Sequence, residues 1–225
     1  MTTRRRVFIT GGTGYIGRRL IPELLAHGHE VRALVRAGAE RRLPRGASAI
    51  LGDALQHASY AAQVRPADTF VHLVGVSHPS PAKAALFRSV DVASVREAVT
   101  AATGAGVGHF VYVSVAQPAP VMREYQQARA ESEALIRDSG LNATILRPWY
   151  VLGPGHRWPI VLLPLYWVFG RLPASRETAQ RLGLVTLRQM IRALAAAVEA
   201  SPPPQGVRVI SVPEIRATRT ANYAR

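Results

Sequence analysis

Short apolar runs alternate along this chain with stretches in which apolar side chains recur every three or four residues. Residues 7–10 form the first run; glycines follow, and over 15–26 the apolar positions Ile16, Leu20, Leu24 and Leu25 fall at helical spacing. The order is strand, glycine turn, helix, and Gly28 stands where a helix stop belongs. β-Rich runs predict further strands at 31–35, 47–51, 69–74, 110–115 and 143–146. Helical patterns cover about 82–103 and about 123–139, the latter with Ala128, Leu135 and Ile136 turned inward. Such alternation implies an α/β fold with a parallel sheet covered on both faces, because parallel neighbours need crossovers and right-handed crossovers lay helices over the sheet.

After Pro148 the texture changes. Pro154, Pro159, Pro164 and Pro173, with Gly153, Gly155 and Gly170, cut the chain into short pieces. A helix over about 187–200, a proline-rich turn at 202–204 and a strand at 207–212 then return to the sheet. The tail from residue 216 shows neither an apolar period nor a cap signal and is expected to be loose. The expected organisation is a principal domain over 1–150 and a small region over 151–225.

Composition narrows the chemistry. With 225 residues and 48% hydrophobic content the chain buries a sizeable core, and zero cysteine excludes disulfides, thiolate metal sites and a cysteine nucleophile. The formal charge of +14 raises a nucleic-acid reading, yet Lys83 is the only lysine and the arginines spread over the whole length, bunching only at Arg4, Arg5, Arg6 and at Arg41, Arg42, Arg45. A phosphate-backbone surface gathers its cations on one face, so no specific nucleic-acid role is expected. The seven histidines show no ligand spacing with carboxylates, and no metal site is expected. The run at 7–9 is too short for a signal-peptide core, and the apolar stretch at 160–169 falls short of the roughly 20 residues that cross a bilayer. A cytoplasmic protein, peripheral to a membrane at most, is the expectation.

The glycine turn carries the first chemistry. Gly11, Gly14 and Gly17 form G-x-x-G-x-x-G between a strand and an amphipathic helix, where a pyrophosphate can approach free N–H groups at a helix N-terminus. Thr13, Tyr15 and Ile16 complete the turn as candidate contacts. At the end of the second strand, where a carboxylate would read the ribose 2′-hydroxyl of NAD, the sequence has Arg36. A guanidinium there pairs with a 2′-phosphate, so NADP is expected over NAD; the other reading of Arg36 is a solvent-facing arginine. Asp53, with Ala54, follows the third strand and suits an adenine amino group, or else a turn. Leu73 and Gly75 end the fourth strand, Gly75 leaving room beside the cofactor, while His72 reads as a core histidine.

Taken together, TGGTGYIG, VRALVR, LGDA, VHLVG, FVYVSVAQ, YQQARAESEALIRDSGL, ATILRPWYVLGPG and the late VPEI resemble the short-chain dehydrogenase/reductase superfamily over about residues 5–155. The resemblance is to its atypical members: NmrA-like proteins, epimerase/dehydratase-like proteins and the nucleotide-binding accessory subunit of respiratory complex I. It implies a Rossmann-type doubly wound sheet with a small C-terminal substrate-facing region. It also implies a serine that orients a carbonyl, a tyrosine that moves a proton, and a lysine four residues later that holds the nicotinamide ribose. By position these are Ser114, Tyr125 and Arg129, and no Tyr-x-x-x-Lys exists in the chain. Arg129 supplies charge one turn from Tyr125 but is larger and planar, so it either serves the site or runs out to solvent. Ser114 can equally cap a turn. Arg147-Pro148 resembles the family's RP motif, which sets Pro148 beside the cofactor and Trp149, Tyr150 and Val151 along the nicotinamide side.

Two functions stay open. One is an NADP(H)-dependent oxidoreductase or isomerase acting on a small apolar carbonyl compound. The other is a cofactor-binding protein without turnover, a redox sensor or a stabilising subunit of a membrane-associated complex. The segment 158–172 reads as a lid or core, as a pocket for an apolar substrate, or as a patch docking on a membrane or partner through Arg157, Arg171 and Arg176. Homo-oligomerisation is implied by resemblance alone.

Overall fold

The computed structural model describes residues 4–76, 79–119, 121–155, 181–204 and 206–218. Seven parallel strands, β1 (Arg6–Thr10), β2 (Glu30–Val35), β3 (Ser48–Leu51), β4 (Thr69–His72), β5 (His109–Val113), β6 (Ala143–Leu146) and β9 (Val207–Ile210), form one sheet in the order β3-β2-β1-β4-β5-β6-β9. The order reverses at β1, whose neighbours are β2 and β4, and it is outside the strand ends at such a switch that α/β sheets bind ligands. Among the described residues the α-helices are α1 (Gly17–Ala26), α2 (Ala61–Val64), α3 (Ala84–Leu86), α4 (Ala93–Ala105), α5 (Arg123–Asp138), α6 (Leu187–Glu199) and α7 (Val212–Ala217). Two three-residue strands, β7 (Tyr150–Leu152) and β8 (Leu184–Thr186), pair with each other apart from the main sheet.

Both sheet faces are covered, which is why the central strands read as continuous apolar runs rather than alternating ones. Val7 and Ile9 pack toward α1 and α6 with Leu20, Leu24, Met190 and Leu194. Phe8, Phe70 and Phe110 point to the other face, their rings 5.2 and 5.3 Å apart in succession, under Val95, Ala98 and Ile136 of α4 and α5. α1 stops where expected: Gly28 has φ +83°, and the N–H groups of Gly28 and His29 return to the carbonyls of Leu25 and Leu24. None of the described helices is long and apolar enough to cross a membrane.

Three expectations needed correction. The interval 82–103 is not one helix: a 3₁₀ turn (Pro81–Lys83) and α3 lead into a π-helical turn, Phe87–Val92, before α4 begins. The wider turn carries Phe87, Asp91 and Val92 into the interior, a placement that regular α-helical spacing does not predict. The last strand ends at Ile210, where it was expected to run to 212, and α7 follows it through Ala217, so the first two residues of the expected tail are helical; residues 219–225 of that tail lie outside the described residues. The start of α7 has the capping-box residues, the Glu214 carboxylate accepting from the Ser211 N–H at 2.8 Å and the Ser211 hydroxyl at 2.7 Å, with Pro213 in the first turn. The segment 158–172, with Arg157, Arg171 and Arg176, lies outside the described residues.

Candidate functional site

At the switch point the strand-to-helix turn is built from glycines for steric reasons. Gly11 has φ +79°, and a Cβ there would lie 2.8 Å from the carbonyl carbon and oxygen of Leu73. A Cβ on Gly17 would strike the Gly11 carbonyl oxygen, so Gly17 lets helix and turn approach and lines no cavity itself. Gly14 differs: within 4 Å its Cβ would meet only the Gly11 oxygen, at 3.1 Å, and would otherwise enter open groove. That groove, about 360 Å³, is lined by Gly11, Thr13 and Gly14 on the turn and by Arg36, Asp53 and Ala54 beyond the second and third strands. Open space above Gly14 at a helix N-terminus is what a pyrophosphate requires, and these residues fit a dinucleotide.

Arg36 is exposed on the groove, and among the described residues it has no carboxylate partner. The Asp53 carboxylate accepts the Leu55 N–H at 3.0 Å, so it serves the turn as well as lining the groove. His72 is wholly buried between the Thr10 hydroxyl at 2.8 Å and that of Ser94 at 3.3 Å, and burial pushes its pKa down to about 3. It is a neutral core histidine.

Leu73 and Gly75 border the groove and also a second cleft of about 260 Å³, which makes the two continuous along the strand ends. Tyr15, Ile16 and Pro148 line this cleft together with Ser114, which follows β5, and Tyr125 and Arg129, one turn apart on α5. Val76, Val115, Trp149 and Val151 give the rest of the wall an apolar character.

Arg129 does not run to solvent. It is 6% exposed, donates from Nη1 to the Tyr112 hydroxyl at 2.8 Å and the Val113 carbonyl at 3.1 Å, and lies 5.1 Å from the Tyr125 ring centroid. Burial opposes its charge, but Tyr112, Tyr125 and Asp91 around it more than compensate, so the guanidinium stays protonated. Gly75 is glycine because of this residue: a Cβ there would sit 2.6 Å from Arg129 Nη2 and 2.8 Å from Asp91 Oδ1. From sequence Gly75 was expected to leave room beside the cofactor; it lines both the groove and the cleft, and the Arg129–Asp91 pair takes the space on its Cβ side.

Ser114 is 4% exposed, and its hydroxyl donates to Glu133 Oε1 at 2.7 Å. The same oxygen accepts from Gln117 at 3.0 Å and Arg147 Nε at 2.9 Å, while Oε2 accepts from Arg137 at 3.0 Å and Arg147 Nη2. Burial would raise the Glu133 pKa, but the bonds from Arg147, Ser114 and Arg137 hold it below the ordinary carboxylate value. A carboxylate only accepts, so the Ser114 proton is committed inward and the cleft meets a serine lone pair. Sequence reasoning missed Glu133 and Asp91; the signal for each was an acid on an otherwise buried helical face.

A distant cluster brings His27, His29 and Glu199 together. Arg5 N–H donates to His29 Nδ1 at 3.1 Å, which leaves the His29 proton on Nε2, facing Glu199 at 3.3 Å. His29 is thus a hydrogen-bond donor here and not a metal ligand.

A family model described as NAD(P)H-binding matches residues 11–157. Among curated proteins, a ceramide reductase of Caulobacter vibrioides is 27% identical over 77% of this chain and 55% of its own length. A 4-hydroxy-2-methyl-3-oxo-4-farnesyl-3,4-dihydroquinoline-1-oxide ketoreductase of Stigmatella aurantiaca is 28% identical over 66% of this chain and 51% of its own. The chain spans about half the length of these relatives. Of solved structures, the Bordetella bronchiseptica enzyme WbmH in complex with NAD⁺ superposes with a TM-score of 0.67 at 23% identity, covering 93% of this chain and 76% of that one. The dTDP-glucose 4,6-dehydratase DesIV of Streptomyces venezuelae, with NAD and TYD bound, gives 0.66 at 24%, covering 92% and 75%. At those identities the likeness is one of fold.

Proposed function

Because this chain belongs to the NAD(P)H-binding family, of the short-chain dehydrogenase/reductase type, we propose that it is an NADP(H)-dependent oxidoreductase or isomerase acting on a small apolar carbonyl compound. The observation that carries the proposal is the continuity of the glycine-turn groove with a cleft that gathers Ser114, Tyr125 and Arg129. In this reading residues 1–150 hold the nucleotide and 151–225 face the substrate. Gly11, Gly14 and the start of α1 hold the pyrophosphate, Asp53 and Ala54 flank the adenine, and unpaired Arg36 reads the 2′-phosphate. The bound nicotinamide supplies or accepts hydride. Tyr125 gives the proton that completes a carbonyl's reduction to an alcohol, or takes it back in oxidation, and Arg129 supplies the neighbouring charge. The apolar wall supports an apolar substrate, as do relatives named as a ceramide reductase and a farnesyl-compound ketoreductase.

A second reading, cofactor binding without turnover as a sensor or stabilising subunit, is favoured by one observation: the Ser114 proton already belongs to Glu133. Titration with NADPH and NADH, followed by nicotinamide oxidation with a panel of quinones and aldehydes, separates the readings. Tight NADPH binding with oxidation by a panel member supports the enzyme; binding without oxidation by any favours the second reading. Binding of neither nucleotide refutes both.

A further inference from the structure

Asp91 has no motif of its own, yet it is wholly buried, and the π-helical turn Phe87–Val92 carries it inward. Its Oδ1 accepts the Val76 N–H at 2.7 Å and lies 3.7 Å from Arg129 Nη2, while Oδ2 has no hydrogen-bond partner among the described residues. An unpaired carboxylate oxygen away from water is costly, and a helix that widens to place one there points to a function for it. Arg129 shows the complementary need. Nη1 is anchored on Tyr112 and Val113, Nε is buried without a hydrogen-bond partner, and Nη2 faces Asp91 across Gly75. One anchored nitrogen leaves a guanidinium free to pivot; a second contact on the far nitrogen fixes its plane.

We propose that Asp91 is a positioning residue for Arg129: its carboxylate keeps the guanidinium lying in the cleft wall, so that Arg129 meets the hydroxyls of the nicotinamide ribose. This rests on the reading of the cleft given above. Arginine and aspartate thus act as one unit, and Gly75 is the spacer that lets them meet. Removing the negative charge leaves Arg129 a buried cation with only neutral partners, and its long stem allows it to swing toward water. Burial raises the Asp91 pKa, while Arg129 and the Val76 N–H oppose the shift, so the pair is mutually dependent in charge as well as position.

The test uses calorimetric titration of the whole protein with NADPH and with 2′,5′-ADP, which carries the adenosine phosphates but no nicotinamide ribose. Asp91→Asn is expected to weaken NADPH binding roughly tenfold or more while leaving 2′,5′-ADP unchanged, since hydrogen bonds from a charged donor are lost at one end only. Because Asp91 acts through Arg129, the double variant Asp91→Asn/Arg129→Met should bind NADPH no worse than Arg129→Met alone. Equal weakening of both ligands by Asp91→Asn makes its role purely structural and overturns the proposal, as does unchanged NADPH binding or a double variant weaker than Arg129→Met. If Asp91→Asn does not fold, Asp91→Ser decides, a smaller uncharged side chain whose hydroxyl can still accept the Val76 N–H: a loss confined to NADPH supports the proposal, and unchanged NADPH binding or equal weakening of both ligands overturns it. Wild-type protein that binds no NADPH refutes the cofactor reading instead, a distinct result.

Discussion

Replacing Glu133 with glutamine removes the buried carboxylate behind Ser114 of the cleft. Five donor contacts converge on it, from Ser114, Gln117, Arg137 and twice from Arg147, at 2.5 to 3.0 Å, and the residue is wholly buried. Glutamine keeps one acceptor oxygen but turns an N–H₂ toward an arginine. Breaking a buried pair by removing one partner costs about 3–5 kcal/mol, and the retained acceptor puts the expected loss near the lower end, about 3 kcal/mol. For a domain of this size that lowers the midpoint of thermal unfolding by roughly 6–12 °C. Urea unfolding followed by circular dichroism measures it, with Glu131→Gln as the control. Glu131 is on the same helix but pairs with exposed Arg88 at 3.6 Å, and its loss is expected within about 0.5 kcal/mol. The pH dependence has a definite sign. The folded-state pKa of Glu133 lies below its unfolded value, so its stabilisation is present above the ordinary carboxylate range near 4.3 and is lost as pH falls through the folded value. The gap between wild type and Glu133→Gln must therefore close on acidification. A difference under about 1 kcal/mol at neutral pH, or one that persists unchanged into acid, refutes the reasoning.

Arg36→Leu is expected to weaken NADPH roughly tenfold to a hundredfold and leave NADH within about twofold, measured by fluorescence titration; equal effects on both would remove the 2′-phosphate from its role. Tyr125→Phe should abolish turnover of any compound that oxidises NADPH in the wild type while nucleotide affinity holds, which stopped-flow and equilibrium titration check together. Ser211→Ala should cost about 1 kcal/mol in urea unfolding through loss of the α7 cap, without changing nucleotide affinity.

The opening strand, glycine turn and helix are legible from sequence because each depends on local physics. An apolar run must be covered on both faces, a sharp turn against Leu73 admits only glycine at 11, and Gly28 closes α1 in a conformation other residues resist. The capping box of α7 was equally local, Ser211 and Glu214 three residues apart, and reading on past the strand would have found it. The interior of the cleft is another matter. Whether Arg129 turned inward depended on Tyr112, Val113 and Asp91, which sequence separates widely and the sheet brings together. The π-helical turn follows from the same cause, because it is the burial of Asp91 against Arg129, and not helix propensity, that the widened turn serves. The resemblance gave Ser114 the task of orienting a carbonyl, and Glu133, unread in the sequence, is the group that accepts its proton. Glu133 and Asp91 share one feature visible without a structure: each is an acid flanked by apolar or small residues within a helical pattern. Such a charge cannot be buried without a partner, so the arginine that answers it, Arg147 in one case and Arg129 in the other, is where the site's geometry is decided.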